Sequence, residues 1–147
     1  MATIRQVYKN IHAVKFDRVV KETILQHKTN MVDLNRDQML DGYNKNLQRI
    51  GAYASEQYER EKRSMNPSAS GWVDLKYTGE FQSKMDLRMP NNREYELFSK
   101  DSKNNDLVEK YGENIFGLSS KSREELIEEY GFRTSLVNNY KKAAKLI

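Results

Sequence analysis

The chain is predicted to be an α+β protein, with long helices at its amino-terminal end, a central antiparallel β-hairpin or small sheet, and helices again at its carboxy-terminal end. Three observations predict it. Apolar residues recur by threes and fours across residues 16–31 and 39–58, the period of a helix face. From residue 73 the period falls to two, as a half-buried strand requires. Beyond residue 101 short apolar groups return, each closed by an isolated glycine at 112, 117 or 131.

The first predicted helix covers residues 15–30, on Phe16, Val19, Val20 and Ile24, with His27 or Met31 extending the stripe. Residues 32–34 interrupt it. Asn35 followed by Gln38 has the spacing of a capping box, in which the Asn side chain accepts an orphan backbone N–H of a new helix. That second helix carries the stripe Met39, Tyr43, Leu47, Ile50, Ala54 and Tyr58 and stops near Asn66, because Pro67 disfavours helical geometry in the residue before it. Val73, Leu75 and Tyr77 then predict a strand that breaks at Thr78-Gly79, with Thr78 capping a short turn through Ser83. Met85, Leu87 and Met89 alternate up to Pro90-Asn91-Asn92, and Tyr95 and Leu97 form the return strand of a hairpin. A short helix starting at Asp101 or Ser102 carries Leu107, Val108 and Tyr111 to Gly112, and a further turn presents Ile115 and Phe116 before Gly117. Ser122 with Glu125 predicts another capped helix, and Leu136, Val137, Tyr140, Ala144 and Ile147 share one face of a closing helix.

The length of 147 residues suits a single domain, with helices over residues 1–66, a hairpin-centred segment over residues 72–118 and terminal helices over residues 119–147. Only 37% of residues are hydrophobic and 31% are charged, a thin apolar supply for a self-sufficient monomer, so neighbours are expected to supply some of the stability. The chain has no cysteine, which removes disulfides and thiolate chemistry and points to synthesis in a cytoplasm. Its first 14 residues spread Arg5, Lys9 and His12 among the apolar ones and do not read as a secretory signal, and no apolar run approaches a membrane span. The net charge of +4 comes from 25 cations against 21 acids, and the cluster Arg60, Lys62 and Arg63 is interleaved with Glu56, Glu59 and Glu61, so a solvated helix face is the expectation there.

Sites for chemistry are scarce. His12 and His27 lack paired-ligand spacing, and no metal or cofactor is expected. Residues 101–112 imitate a calcium loop, yet Lys103, Asp106 and Gly112 stand where an acid, a glycine and the closing carboxylate belong. Glu124-Glu125 and Glu128-Glu129 are neighbours on a helix, where adjacent side chains point apart. The glycines are isolated, so there is no phosphate loop. Trp72, Tyr77, Phe81, Tyr95 and Phe98 follow the inward alternation and are expected in the core, and the acids among them would repel a nucleic-acid backbone.

The order of long helix, polar loop, strand ending in Thr-Gly, hairpin, Tyr-Gly and closing helix is similar to the tail-completion or head-to-tail joining proteins of tailed bacteriophages, through Thr78, Gly79, Phe81 and Ser83 and, more loosely, Tyr111 and Gly112. Residues 33–118, with DLNRDQMLDGY, NPSASGWVDLKYTGEF and LFSKDSKNNDLVEKYGENIFGL, resemble small structural proteins of phages of gut bacteria, crAss-like ones included. The chain departs from the joining family in having Ser119, Ser120, Lys121 and Ser122 where a proline-rich stretch is usual, and in its helix at residues 15–30. The resemblance implies a non-enzymatic virion protein, a homo-oligomeric ring at the neck or tail top. Its partners would be portal, connector or tail proteins, with no membrane and with DNA only as the cargo of a channel. Loop 67–72, tip 90–93 and segment 101–118 would make the contacts, with Trp72, Thr78, Gly79, Phe81, Asn91, Asn92, Tyr111, Gly112, Ile115 and Phe116 as interface residues. Two other classes stay open: a small basic nucleic-acid-binding protein associated with the phage genome, and an enzyme or inhibitor acting in the infected cell.

Overall fold

The computed structural model of the chain describes residues 3–53, 55–65, 72–76 and 79–147. Their architecture is α+β. In chain order it runs α1 (Ile4–His12), α2 (Phe16–Gln26), α3 (Lys28–Leu40), α4 (Glu56–Met65), α5 (Glu80–Ser83), β1 (Met85–Arg88), β2 (Glu96–Ser99), α6 (Asn104–Tyr111), a 3-10 turn Glu113–Ile115, α7 (Ser120–Glu128) and α8 (Phe132–Ala143). β1 and β2 pair antiparallel, with Met85 opposite Ser99 and Leu87 opposite Leu97. These four side chains are buried, so one face of the hairpin lies on the core. The core gathers Met31, Val32, Leu34 and Met39 of α3 with Phe81, Met85, Leu87, Leu97, Ile115, Leu118 and Leu126.

The hairpin, the short helix with Leu107, Val108 and Tyr111, and the closing helix follow the prediction. Gly112 ends α6 with φ of 87°, a value that L side chains rarely adopt. The hairpin connection is longer than a tight turn. Asn91 folds it back through a 2.8 Å bond from the Arg93 N–H to its Oδ1, and the Arg93 guanidinium reaches Asp17 at 2.9 Å.

The amino-terminal half differs in register and extent. The predicted break at residues 32–34 is absent: Val32 and Leu34 are buried inside α3, and the chain bends at His27 instead. Asn35 caps nothing. It is fully buried in the middle of α3, donating to the Ile115 carbonyl at 3.1 Å and accepting from the Gly117 N–H at 3.2 Å. Gln38 works beside it, donating to the Gly117 carbonyl at 3.0 Å and accepting from the Ser119 N–H at 2.9 Å and the Ser122 hydroxyl at 3.2 Å. The two capping-box residues are therefore a long-range clamp on the approach to α7. That clamp also moves the predicted cap of α7: Ser119, not Ser122, receives the N–H of Ser122 at 3.1 Å.

The second helix does not run to Asn66. α3 ends at Leu40, where the Gly42 N–H bonds to Met39 O and the Tyr43 N–H to Gln38 O, with Gly42 at φ of 84°. A Cβ at Gly42 would lie 3.2 Å from both Arg49 and Trp72 Cβ. The apolar stripe from Met39 to Tyr58 was a coincidence of spacing: Met39 is buried, Leu47 sits in a turn at φ of 58°, and Ala54 lies outside the described residues. The strand predicted from Val73 is also missing, because Val73 and Asp74 are both buried and Leu75 adopts φ of 59°. Among the described residues the pairing found beside it is an isolated bridge between Ala52 and Trp72, and Tyr77 lies outside them.

α1 lies in the part expected to be helical, residues 1–66, but no individual helix was predicted at its position. Thr3 caps it by accepting the Gln6 N–H at 3.2 Å, and Lys9 and His12 lie in its last turn, where cations meet the negative end of the helix dipole. At the other end of the chain α8 packs on α2: Asn139 donates to Thr23 Oγ1 and Gln26 Oε1, both at 3.0 Å, and Ser135 meets His27 Nε2 at 2.8 Å.

Candidate assembly surface

Three places on this scaffold gather exposed apolar surface, a groove or a cavity. The first is α1. Its apolar residues Ile4, Val7, Tyr8 and Ile11 fall at the spacing of a single helix face. No residue of α1 is buried: Ile4 is 91% exposed and Tyr8 62%. The helix is absent from the principal packings of the fold. Arg5, Lys9 and His12 flank the apolar face on one side, Gln6 and Asn10 are joined at 3.0 Å, and residues 3–16 contain no acid. Nine residues are too few for a stable isolated helix in water, and covering one Ile side chain stabilises by about 1.5–3 kcal/mol, so such a helix is completed by whatever covers it.

The second is a groove of about 540 Å³ between the outer side of the hairpin, α6 and the start of α7. Tyr95, Phe98, Val108 and Phe116 supply its apolar surface, with Glu96 and Glu113 among its polar groups. Phe98 faces away from the core because its neighbours Leu97 and Ser99 face inward. The Arg88 guanidinium lies 4.6 Å from the Phe98 ring and 2.8 Å from Glu96, which holds the Glu96 carboxyl below the ordinary carboxylate range. Partial burial pushes the Tyr95 phenol up.

The third is a cavity of about 350 Å³ lined by Tyr53, Tyr58, Lys62, Val73, Leu75, Phe81 and Tyr111 among others. Lys62 of α4 and Asp74 form a 2.7 Å ion pair with side chains only 4% and 1% exposed. Asp74 also accepts the Lys76 N–H at 2.9 Å, Lys62 donates to the Lys76 carbonyl, and Gln82 donates to the Asp74 carbonyl at 3.1 Å. Removing one partner of so buried a pair costs about 3–5 kcal/mol, since the other charge is left unpaired. The Tyr53 hydroxyl is buried without a hydrogen-bond partner among the described residues. Burial, then the negative charge of Asp74, pushes its pKa up to about 12, so it is a neutral phenol at physiological pH. The arrangement is one of a locked ion pair and aromatic walls, which fixes α4 against the loop that follows it.

The residues singled out in the sequence scatter over these places. Trp72 is on the surface, 40% exposed, with the Arg49 guanidinium 4.9 Å from its ring and 4.1 Å from that of Tyr43. Asn91 and Asn92 are exposed at the hairpin tip. Gly79 precedes α5 with φ of 86°, and Thr78 lies outside the described residues, as do residues 67–71 of the predicted contact loop. Tyr111 is half-buried against the cavity, and Gly112 is exposed. Phe116 lines the groove while its ring stands 5.9 Å from Phe81. Phe81 and Ile115 are core residues, so their side chains face this chain's own interior and not a neighbour. Tyr95 and Trp72, expected in the core, are surface aromatics. What sequence reasoning missed is α1, although its signal was present in the 4, 7, 8, 11 spacing behind Thr3.

Among the described residues no group of His, Cys, Asp or Glu side chains could hold a metal ion, and no helix is long and apolar enough to cross a membrane. No family model, no curated protein and no solved structure matches this chain.

Proposed function

We propose that this protein is a non-enzymatic structural subunit of a tailed-bacteriophage particle, a connector or tail-completion protein that forms a ring between portal and tail. The observation that carries the proposal is α1, a capped helix that buries no residue fully: Ile4 and Tyr8 of its apolar face stand in water, and Val7 and Ile11 are only half-buried. The thin apolar supply of the chain fits a subunit that draws part of its stability from neighbours, and its mixed surface charges are compatible with such contacts. The partners are further copies of the chain and the portal, connector or tail proteins on either side, with DNA only as cargo of the central channel.

Two measurements test it together. Sedimentation and negative-stain imaging of the purified protein should find closed oligomers, and mass spectrometry of purified phage particles should find the chain among their components. A strictly monomeric protein that is missing from the particles overturns the proposal.

A further inference from the structure

We infer that the end of the molecule formed by the α1–α2 junction and the last turn of α8 binds the phosphate backbone of double-stranded DNA. The inference goes beyond the assembly proposal and does not depend on it.

Charge is unevenly placed along the chain. Residues 1–18 hold Arg5, Lys9, Lys15 and Arg18 against one acid, Asp17, and residues 134–147 hold Lys141, Lys142 and Lys145 against none. Seven cations against one acid give these two segments a net of +6, more than the whole chain's +4, so the residues between them are net −2. An asymmetry of this kind suits a polyanion.

The fold brings the two segments together. Ser135 of α8 meets His27 at 2.8 Å, and one turn later in α8 Asn139 meets Thr23, one turn earlier in α2, at 3.0 Å, so the two helices run antiparallel. The next turn of α8 carries Lys142 past Val19, and the residues after it stand beside Lys15, Phe16 and Arg18. Ala144 is wholly buried there, and the Leu146 N–H returns to the Lys141 carbonyl at 2.8 Å. Lys145 closes this turn at φ of 56°, left-handed backbone where glycine is the usual residue.

All seven cations are exposed, and none forms an ion pair among the described residues. Elsewhere Arg36, Lys62, Arg88 and Arg133 each hold an acid. The hairpin tip that reaches this end adds Arg93, held by Asp17 at 2.9 Å, and Glu94, one charge of each sign, so the excess stands. Glu22 follows Arg18 by one turn along α2, away from this end. A lipid interface would need a continuous apolar face. Here Val7 and Ile11 are turned half into the chain, Ile4 and Tyr8 adjoin Arg5, Lys9 and His12, and Val137 is followed one turn on by Lys141, so apolar side chains stand singly among cations.

The test is titration of a fluorescein-labelled duplex of random sequence with the full-length chain. Affinity should fall on the order of 100-fold as salt rises from about 50 to about 200 mM, as about four neutralised phosphates require. Lys9→Gln/Lys15→Gln/Arg18→Gln and Lys141→Gln/Lys142→Gln/Lys145→Gln should each weaken binding at least about tenfold and flatten the salt dependence by about two released ions. Lys103→Gln/Lys110→Gln/Lys121→Gln removes the same charge elsewhere and should weaken it less than about threefold. All these positions are exposed, and thermal melts confirm that each variant folds. The inference is overturned by a wild type that does not bind the duplex at low salt, or by a control variant that weakens binding as much as either end variant. Binding to vesicles of equal phosphatidylcholine and phosphatidylglycerol without binding to the duplex also overturns it, making this end a lipid-facing surface. A strictly monomeric wild type that binds the duplex as described counts against the assembly proposal and leaves this inference in place.

Discussion

α1 and α8 are two terminal helices with apolar faces and little full burial, yet the fold treats them in opposite ways. α8 lies on α2, with Asn139 bridging to Thr23 and Gln26, Ser135 meeting His27, and Ala144 at its end wholly buried. α1 has a comparable stripe and a better side-chain cap, but it is covered only in part: Val7 and Ile11 are half-buried, whereas Ile4 and Tyr8 stand in water. The difference teaches that amphipathicity announces a need for cover without saying who provides it. In α8 the provider is the same chain. In α1 the cover is incomplete, and the exposed Ile4 and Tyr8 motivate the assembly proposal.

The sharpest way to break this comparison is truncation. Ending the chain at residue 131 should abolish the cooperative thermal transition, because it strips the cover from Val19, Thr23 and Ile24. Removing residues 1–13 should leave that transition within a few degrees of the full chain. Equal losses from both truncations would mean that α1 is as integral as α8. A smaller effect probes how the covered region is fastened. Gln38→Ala leaves the Ser119 N–H and the Ser122 hydroxyl without their acceptor in a buried setting and should cost about 2–3 kcal/mol in denaturant unfolding.

Asp86→Asn is expected to cost less, about 1–2 kcal/mol at neutral pH after allowance for the exposure of its partners. The Asp86 carboxylate takes Lys28 at 2.7 Å, the Leu87 N–H at 2.8 Å and Lys100 at 3.0 Å, and the Lys28 contact above all holds it well below the ordinary carboxylate range. The folded state thus binds the proton more weakly than the unfolded chain does. The stability this supplies is complete above the unfolded value of about 4 and declines as pH falls from there toward the folded value. Chemical denaturation of wild type and variant should therefore converge in acid, and a gap that stayed constant below pH 4 would rule out the carboxylate as its source.

The smallest expected effect is that of Ile4→Ser on the isolated chain. It should change unfolding stability by less than about 0.5 kcal/mol, since the side chain is already in water. Loss of stability on the scale of a core substitution would show that α1 is covered in solution by its own chain.

The regions of the fold that were legible in the sequence are those whose signals act over a few residues. Met85 and Leu87 alternate with Asp86 and Arg88, and Gly112 closes α6, because pleat geometry and left-handed backbone are local properties. Where reading failed, a residue with a local meaning was used at long range. Asn35 and Gln38 have capping-box spacing, but their amides satisfy backbone and hydroxyl groups about eighty residues onward. Asp74 was to alternate outward and instead turns inward to Lys62. Of the residues singled out for contacts, Asn91 and Asn92 are exposed and Phe116 lines a groove, whereas Phe81 and Ile115 are interior.

By itself the sequence determined that the chain is α+β, where its hairpin and later helices lie, and that its carboxy-terminal end is amphipathic. Only the tertiary structure decided which apolar faces meet inside the molecule, which polar side chains are spent on clamping the interior, and which helix buries no residue fully. The physical reason is range: backbone geometry and periodicity are fixed by near neighbours, but burial and the pairing of buried polar groups depend on segments that folding alone brings together.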